Sequence, residues 1–166
     1  VILNASHPDI EEFIWCKSRE EKKARALRDA GFDMDLDGAD SFSVQYQNAN
    51  NSVRVTDEFM QAVKDDADWN LTAVKDGRVV RTIRARDLWR QIATASWECA
   101  DPGLQFDTTI NKWHTAHAAG RINGSNPCSE YMHIDNSACN LASINLLKYL
   151  NDDDTFDVES YMHTIE

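Results

Sequence analysis

Apolar residues recur along this chain with two different spacings, one helical and one alternating, and the switches between them mark out its elements. Val1-Ile2-Leu3 is a short apolar run closed by Asn4, the end of a strand whose beginning is expected before Val1. Ser6-His7-Pro8-Asp9 predicts a helix start, with Ser6 as cap, Pro8 in the first turn where its missing N–H is harmless, and Asp9 near the positive helix end. Ile10, Phe13 and Ile14, then Ala24 and Leu27, hold one stripe until Gly31 stops it. Ser41-Phe42-Ser43-Val44-Gln45-Tyr46 alternates in strand fashion, and Gln47-Asn48-Ala49-Asn50-Asn51 is too rich in side-chain amides for a helix interior. Thr56-Asp57-Glu58 caps a second helix ending near Lys64, with Phe59, Met60 and Val63 on its buried side.

Further on, the segment Leu71 to Ile83 predicts a hairpin, because Asp76-Gly77 supplies the positive φ angles of a two-residue turn. Arg86-Asp87 leads into a third helix with Leu88, Ile92, Ala95 and Cys99 on one face and Trp89, Ala93 and Trp97 widening it. Asp101-Pro102-Gly103 ends that helix, and Leu104-Gln105-Phe106 begins a short strand whose C-terminal end should face a site. Leu141 to Leu147 is apolar with small gaps and is expected to pack as a strand or helix start. Asn151 to Asp154 is an acidic connection, and Val158 to Glu166 begins another helix. Alternation of strands and helices gives an α/β class. The divisions are 1–70 helix-strand-helix, 71–84 hairpin, 85–123 helix and strand, 124–150 a cysteine loop with its following element, and 151–166 the start of a next helix.

Composition narrows the picture. The chain's 166 residues, 42% hydrophobic and 27% charged, are the size and balance of one folded domain. With 17 basic against 28 acidic residues the formal charge is −11, which disfavours a nucleic acid polymer or an acidic membrane surface, although a single nucleotide could bind through local donors. No apolar run is long enough to cross a bilayer, and no export signal is visible within these residues. Four cysteines without a CxxC pair point to reduced thiols in the cytoplasm. Cys16 and Cys99 lie on helix faces and read as small core residues.

Three charged or metal-like patterns carry less than they suggest. Glu20-Glu21-Lys22-Lys23 has both signs and reads as a solvated helix face. Asp33-Met34-Asp35-Leu36-Asp37-Gly38 opens like a calcium loop, but Val44 stands where that loop needs a bidentate glutamate. His114 and His117 could share one helical face, yet no HExxH accompanies them, so no metal is expected.

The candidate chemistry is concentrated in Gly124-Ser125-Asn126-Pro127-Cys128-Ser129-Glu130-Tyr131. Gly124 and Pro127 prevent a regular element from running through, which puts Asn126, Cys128 and Glu130 on a loop or a short extended tip. In an extended segment the amide, thiol and carboxyl would project to one side. On spacing alone the alternative is a polar loop that happens to hold a cysteine and a surface charge.

Those residues, with Ser137-Ala138-Cys139-Asn140-Leu141-Ala142-Ser143-Ile144-Asn145-Leu146 after them, resemble the finger-loop region of ribonucleotide reductases. Pro127 and Tyr131-Met132-His133 make the wording most like the adenosylcobalamin-dependent class II. Gln47 to Val55 and Asp101 to Phe106 read like the same family, so the resemblance runs from near Val1 to about Leu150. It implies a partial segment of a ten-stranded α/β barrel with the hairpin as an excursion. It implies that Cys128 is the thiyl radical that takes the ribose 3′ hydrogen and that Glu130 is the general acid/base at the 3′-hydroxyl. Asn126, with Ser125, would bind the sugar hydroxyls. Cys139 matches one of two cysteines that oxidise to a disulfide as the 2′-hydroxyl is lost. The implied cofactors are adenosylcobalamin and a dithiol reductant such as thioredoxin. The implied partners are a ribonucleoside di- or triphosphate and a deoxynucleotide effector.

Neither Cys16 nor Cys99 sits in the context of the second redox cysteine, which is expected outside this chain. The effector loops, phosphate-binding part and C-terminal cysteines of the family are not matched either, so the chain is expected to be a fragment, inactive alone. Its open edges would then meet the rest of the barrel or drive self-association. The alternatives are the large subunit of the metal-radical class I enzyme, a non-catalytic interaction fragment of the same fold, and a zinc module of His114, His117, Cys128 and Cys139.

Overall fold

The computed structural model describes residues 1–166 and builds them on a three-stranded parallel sheet in the order β1 (Ile2–Asn4), β2 (Ser52–Val55), β5 (Gly103–Phe106). Parallel neighbours need long crossovers. The first is α1 (Ile10–Asp29); the second holds α2 (Asp57–Asp65), an antiparallel hairpin of β3 (Asp68–Thr72) and β4 (Val79–Arg84), and α3 (Ala85–Cys99). Beyond β5 come α4 (Asp107–Lys112), a second hairpin of β6 (Ile122–Ser125) and β7 (Met132–Ile134), and α5 (Val158–Ile165).

Strand register sorts the two faces of the sheet. Val53 pairs with Leu3 and Leu104 on one face, while Arg54 pairs with Gln105, and Ser52 with Gly103, on the other. The apolar face is closed by the helices: Ile10, Ile14, Val53, Val55, Phe59, Leu71, Leu88 and Ile92 share one core, none more than 1% exposed. Phe59 meets Trp69 edge to face at 5.1 Å, and the Trp69 indole N–H donates to the Ala5 carbonyl at 3.0 Å. This fastens the first hairpin to the end of β1.

Local signals explain most boundaries. Thr56 Oγ1 accepts from the Phe59 N–H at 3.3 Å and starts α2, as its sequence predicts. Gly31 at φ +97° follows the end of α1. Asp157 caps α5 by accepting from the Ser160 N–H at 3.0 Å. The charged run on α1 pairs as a solvated face should, Lys23 with Glu20 at 2.5 Å and Arg25 with Glu21 at 3.2 Å.

Other expectations are corrected. Helix α1 begins at Ile10, so Ser6 is not its cap; the Ser6 carbonyl instead accepts from the Thr72 N–H at 2.8 Å. Ser41 to Tyr46 is not a strand but a single 3-10 turn at Ser41–Ser43. Alternation needs a neighbouring strand to pair with, and here Asp33 closes the preceding loop on the Ala39 N–H while Glu20 takes the Gln45 N–H at 2.7 Å. The first hairpin turns through residues 74–77, bracketed by the Ala73 N–H on the Arg78 carbonyl at 2.9 Å, rather than through two residues. Only Gly77 has positive φ there, and the Asp76 carboxylate accepts from the Arg78 N–H at 3.2 Å. Trp97 is 89% exposed instead of widening the buried face of α3. Leu141 to Leu147 does not pack: Leu141 is 88% exposed, and only a 3-10 turn, Leu146–Tyr149, follows. Helix α4 was not foreseen. The result is a mixed α/β fold with an open sheet rather than a closed barrel.

Candidate functional site

Buried parallel strands are ordinarily continuous apolar runs. Here the face away from the helices is polar, and the β6–β7 hairpin lies on it. Arg54, 3% exposed, donates from Nε to Asp107 Oδ1 at 2.5 Å, from Nη2 to the Ile122 carbonyl at 2.5 Å and from Nη1 to Gln105 Oε1 at 3.1 Å. A buried guanidinium is tolerated when paired and hydrogen-bonded in this way. Arg121 adds a second cation on Asp107. Asn111 of α4 brackets Ile122, donating to its carbonyl at 3.1 Å and accepting from its N–H at 3.0 Å. Gln105 completes the set, with Nε2 donating to Ser125 Oγ at 2.7 Å and Ser129 Oγ at 2.9 Å.

The tip of this hairpin holds the predicted site residues, with one correction to their geometry. Residues 126–131 form a tight turn, not an extended segment: the Asn126 N–H donates to the Tyr131 carbonyl at 3.2 Å, the Ser129 N–H to the Asn126 carbonyl at 3.1 Å, and Ser129 has φ +64°. Pro127 and the short reach back to β7 require this reversal. Asn126 Oδ1 accepts from the Tyr131 N–H at 2.9 Å, so its side chain caps the turn through its oxygen. Ser125 ends β6 and its hydroxyl donates to the Asn126 carbonyl at 2.8 Å. Cys128 and Glu130 are both exposed. The Cys128 sulfur receives the Asn50 side-chain N–H at 3.6 Å, the one polar contact that reaches the thiol from the sheet side. A cavity of about 420 Å³ opens beside the tip, between Asn50 and Ser52 on one side and Ser125, Asn126 and Pro127 on the other.

Cys139 lies beyond β7 on an exposed, irregular stretch. Cys16 and Cys99 differ from it in environment. Burial raises both thiols above their ordinary value, and their sulfurs are engaged, Cys16 by the Asn51 side-chain N–H at 3.3 Å and Cys99 as donor to the Asp101 carbonyl at 3.3 Å. His117 is exposed, His114 is half-buried with Nε2 at 3.1 Å from the Gly120 carbonyl oxygen, and no three His, Cys, Asp or Glu side chains converge as metal ligands.

Sequence reasoning missed Asn50, Arg54, Gln105, Asp107 and Ser129. For Arg54 and Gln105 a signal was present: polar side chains at Ser52 and Arg54 of one strand and at Gln105 of another are costly in a buried parallel sheet unless something polar covers them. It is Gln105, in the middle of β5, that reaches the cysteine turn, rather than the strand's C-terminal end.

The sequence is similar to known proteins over its whole length. The family model for the ribonucleotide reductase barrel domain matches residues 1–166. A vitamin B12-dependent ribonucleotide reductase of Streptomyces coelicolor is 59% identical over 170 residues, covering 100% of this chain and 18% of that protein. The vitamin B12-dependent ribonucleotide reductase of Rhodopirellula baltica is 49% identical across 96% of this chain and 16% of its own length. A vitamin B12-dependent ribonucleoside-diphosphate reductase of Thermoplasma acidophilum is 34% identical across 99% of this chain and 18% of its own length. The chain thus spans less than a fifth of these relatives. With every residue inside the family model and a cysteine turn clamped over the parallel sheet, this chain belongs to the ribonucleotide reductase family, as part of its barrel domain.

Proposed function

We propose that this chain is the cysteine-bearing part of an adenosylcobalamin-dependent ribonucleotide reductase, and that it acts within a full-length enzyme on a ribonucleoside di- or triphosphate. The observation that carries the reading is the exposed Cys128 thiol at the tip of a turn held rigidly from beneath. The three parallel strands are then an arc of the ten-stranded barrel, and the polar face of the arc is its lumen. Three relatives named as vitamin B12-dependent favour cobalamin over the metal-radical class as the source of the radical.

The chemistry divides among residues of this chain. Loss of a ribose 2′-hydroxyl is difficult because the C–O bond is strong and hydroxide leaves poorly. A radical at the neighbouring 3′ carbon makes departure of that oxygen as water accessible. Adenosylcobalamin, when bound, supplies the radical character that converts the Cys128 thiol to a thiyl. An exposed sulfur suits this, since it must be reached from one side by the radical source and from the other by the sugar. The Cys128 thiyl takes the 3′ hydrogen, forming S–H and leaving the radical on carbon. Glu130 accepts the 3′-hydroxyl proton. Asn126, whose oxygen is already committed to the Tyr131 N–H, offers its NH₂ to the sugar hydroxyls from the edge of the cavity beside the tip, and Ser125 lies on the same wall. Cys139 and a second cysteine outside the chain supply two electrons and two protons, becoming a disulfide. The 2′ oxygen takes one of these protons and leaves as water, and the other becomes the new hydrogen on the 2′ carbon with the electron pair. Glu130 returns its proton to the 3′ oxygen, the hydrogen held on Cys128 returns to the 3′ carbon, and the thiyl is restored. A dithiol reductant such as thioredoxin then reopens the disulfide, and a deoxynucleotide effector acts elsewhere in the enzyme.

The test uses the full-length reductase containing this segment, assayed for nucleotide reduction with and without adenosylcobalamin and with Cys128→Ser. Cobalamin-dependent turnover that vanishes in the serine variant is expected, because a serine O–H bond is too strong for the hydrogen transfer. Turnover surviving the substitution removes Cys128 from this role. In the same assay Glu130→Gln should lower kcat by about 10²- to 10⁴-fold, the usual worth of a positioned proton acceptor.

A further inference from the structure

We infer that Gln105 is a positioning residue for the cysteine turn, acting through Ser129; this rests on the reading of Cys128 given above. Gln105 is 1% exposed, and its carboxamide reaches both the strand end that enters the turn, through Ser125 Oγ at 2.7 Å, and the turn itself, through Ser129 Oγ at 2.9 Å. Its orientation is not free. Arg54 has only donors and presents Nη1 to Gln105 Oε1 at 3.1 Å, so the carboxamide must turn its oxygen to the guanidinium and its NH₂ to the two hydroxyls. Arg54 is itself fixed by Asp107 at 2.5 Å and by the Ile122 carbonyl of β6 at 2.5 Å. The series Asp107, Arg54, Gln105, Ser129 therefore runs from the start of α4 across two strands to the residue directly after Cys128.

Ser129 is where such a contact has most effect. It holds φ +64°, a left-handed conformation unfavourable to a side chain, and it lies between the thiol and the carboxyl that must act on one sugar. A hydrogen bond from a buried, oriented donor holds the turn in that conformation and sets the height of Cys128 above the sheet. Hydrogen transfer is steeply sensitive to that height, since misplacement of reacting atoms by about 1 Å can cost about a hundred-fold in rate.

The experiment uses the full-length enzyme with Gln105→Met, close in volume but without the donors, together with Ser129→Ala and the double variant. Ser125 is left intact because it carries a proposed sugar contact. Gln105→Met is expected to lower kcat by about ten-fold or more with the nucleotide KM within about twofold, and Ser129→Ala by less. The double variant should be no slower than Gln105→Met alone, because the serine has nothing to contribute once the donor is gone. Hydrogen exchange without cofactor or substrate gives a second readout: Gln105→Met should speed exchange of the Ser129 and Tyr131 amides while those of Val53 and Val55 stay protected. Unchanged kcat in Gln105→Met, multiplied losses in the double variant, or faster exchange spread equally over the sheet would each overturn the inference. Cys128→Ser run alongside keeps the two readings apart: if that variant still turns over, the function falls, and the exchange comparison still decides the role of Gln105.

Discussion

Four thiols share this chain, and their surroundings sort them into two kinds. Burial is the leading cause that raises the thiols of Cys16 and Cys99 above 9.0, with neighbouring Asp101 adding to it and hydrogen bonds partly offsetting it. Because their folded values lie above the unfolded one, the stabilisation is fully present below about pH 9 and is lost as pH rises through the folded values. Unfolding midpoints should therefore fall on the alkaline side, and Cys16→Ala with Cys99→Ala should flatten that limb. Cys128 and Cys139 are exposed, so mass-resolved alkylation of the chain at pH 8 should label them about ten-fold faster than the half-buried Cys16 and Cys99. Equal labelling of all four would contradict the burial assigned here. The helical placing of Cys16 and Cys99 was legible, but the expectation that they are small core residues was not met: both are half-buried and lie outside the hydrophobic core. The turn that carries Cys128 was legible as a break in regular structure, but not its curl: spacing of two suggests one-sided projection only if the backbone stays extended, and Asn126 capping the Tyr131 N–H shows that it does not.

At the level of elements, sequence was most informative where a side chain satisfies its own backbone. Thr56 before α2 and Gly31 after α1 are local signals and needed no knowledge of the fold. Thr56→Ala should cost about 1 kcal/mol, read from the urea midpoint. Ser41 to Tyr46 failed because alternation describes a strand's two faces without supplying a partner strand. Arg54 and Gln105 stayed unread because their purpose depends on a hairpin that arrives much later in the chain. Their energetics set them apart from surface charges. The exposed Arg25–Glu21 pair is of the kind worth about 0.3–0.5 kcal/mol. Asp107→Ala would strip Arg54, 3% exposed, of its carboxylate and should cost about 3–5 kcal/mol in the full-length protein. A loss below 1 kcal/mol would mean that the pair is not buried in the whole enzyme.

The whole molecule is organised by the contrast between the two faces of its sheet, one filled by helices and one by a polar clamp under a cysteine. Its outer edges are unfinished. Strands β1 and β5 each pair on one side only, and Phe42, Trp97, Leu141 and Leu147 are between 75% and 89% exposed. Open edges and apolar surface of this kind favour association, so sedimentation of the 166-residue chain alone should show a mass that rises with concentration. A strictly monomeric chain at high concentration would contradict that expectation. None of the chain's helices is long and apolar enough to cross a membrane.

The central claim is that the Cys128 sulfur takes the hydrogen from the ribose 3′ carbon, and an isotope measurement addresses it most directly. Full-length enzyme should reduce a 3′-deuterated ribonucleotide measurably more slowly than the protiated one under single-turnover conditions, and Cys128→Ser should reduce neither. Equal rates for the two substrates in an enzyme whose chemistry is rate-limiting, or reduction by the serine variant, would contradict the account.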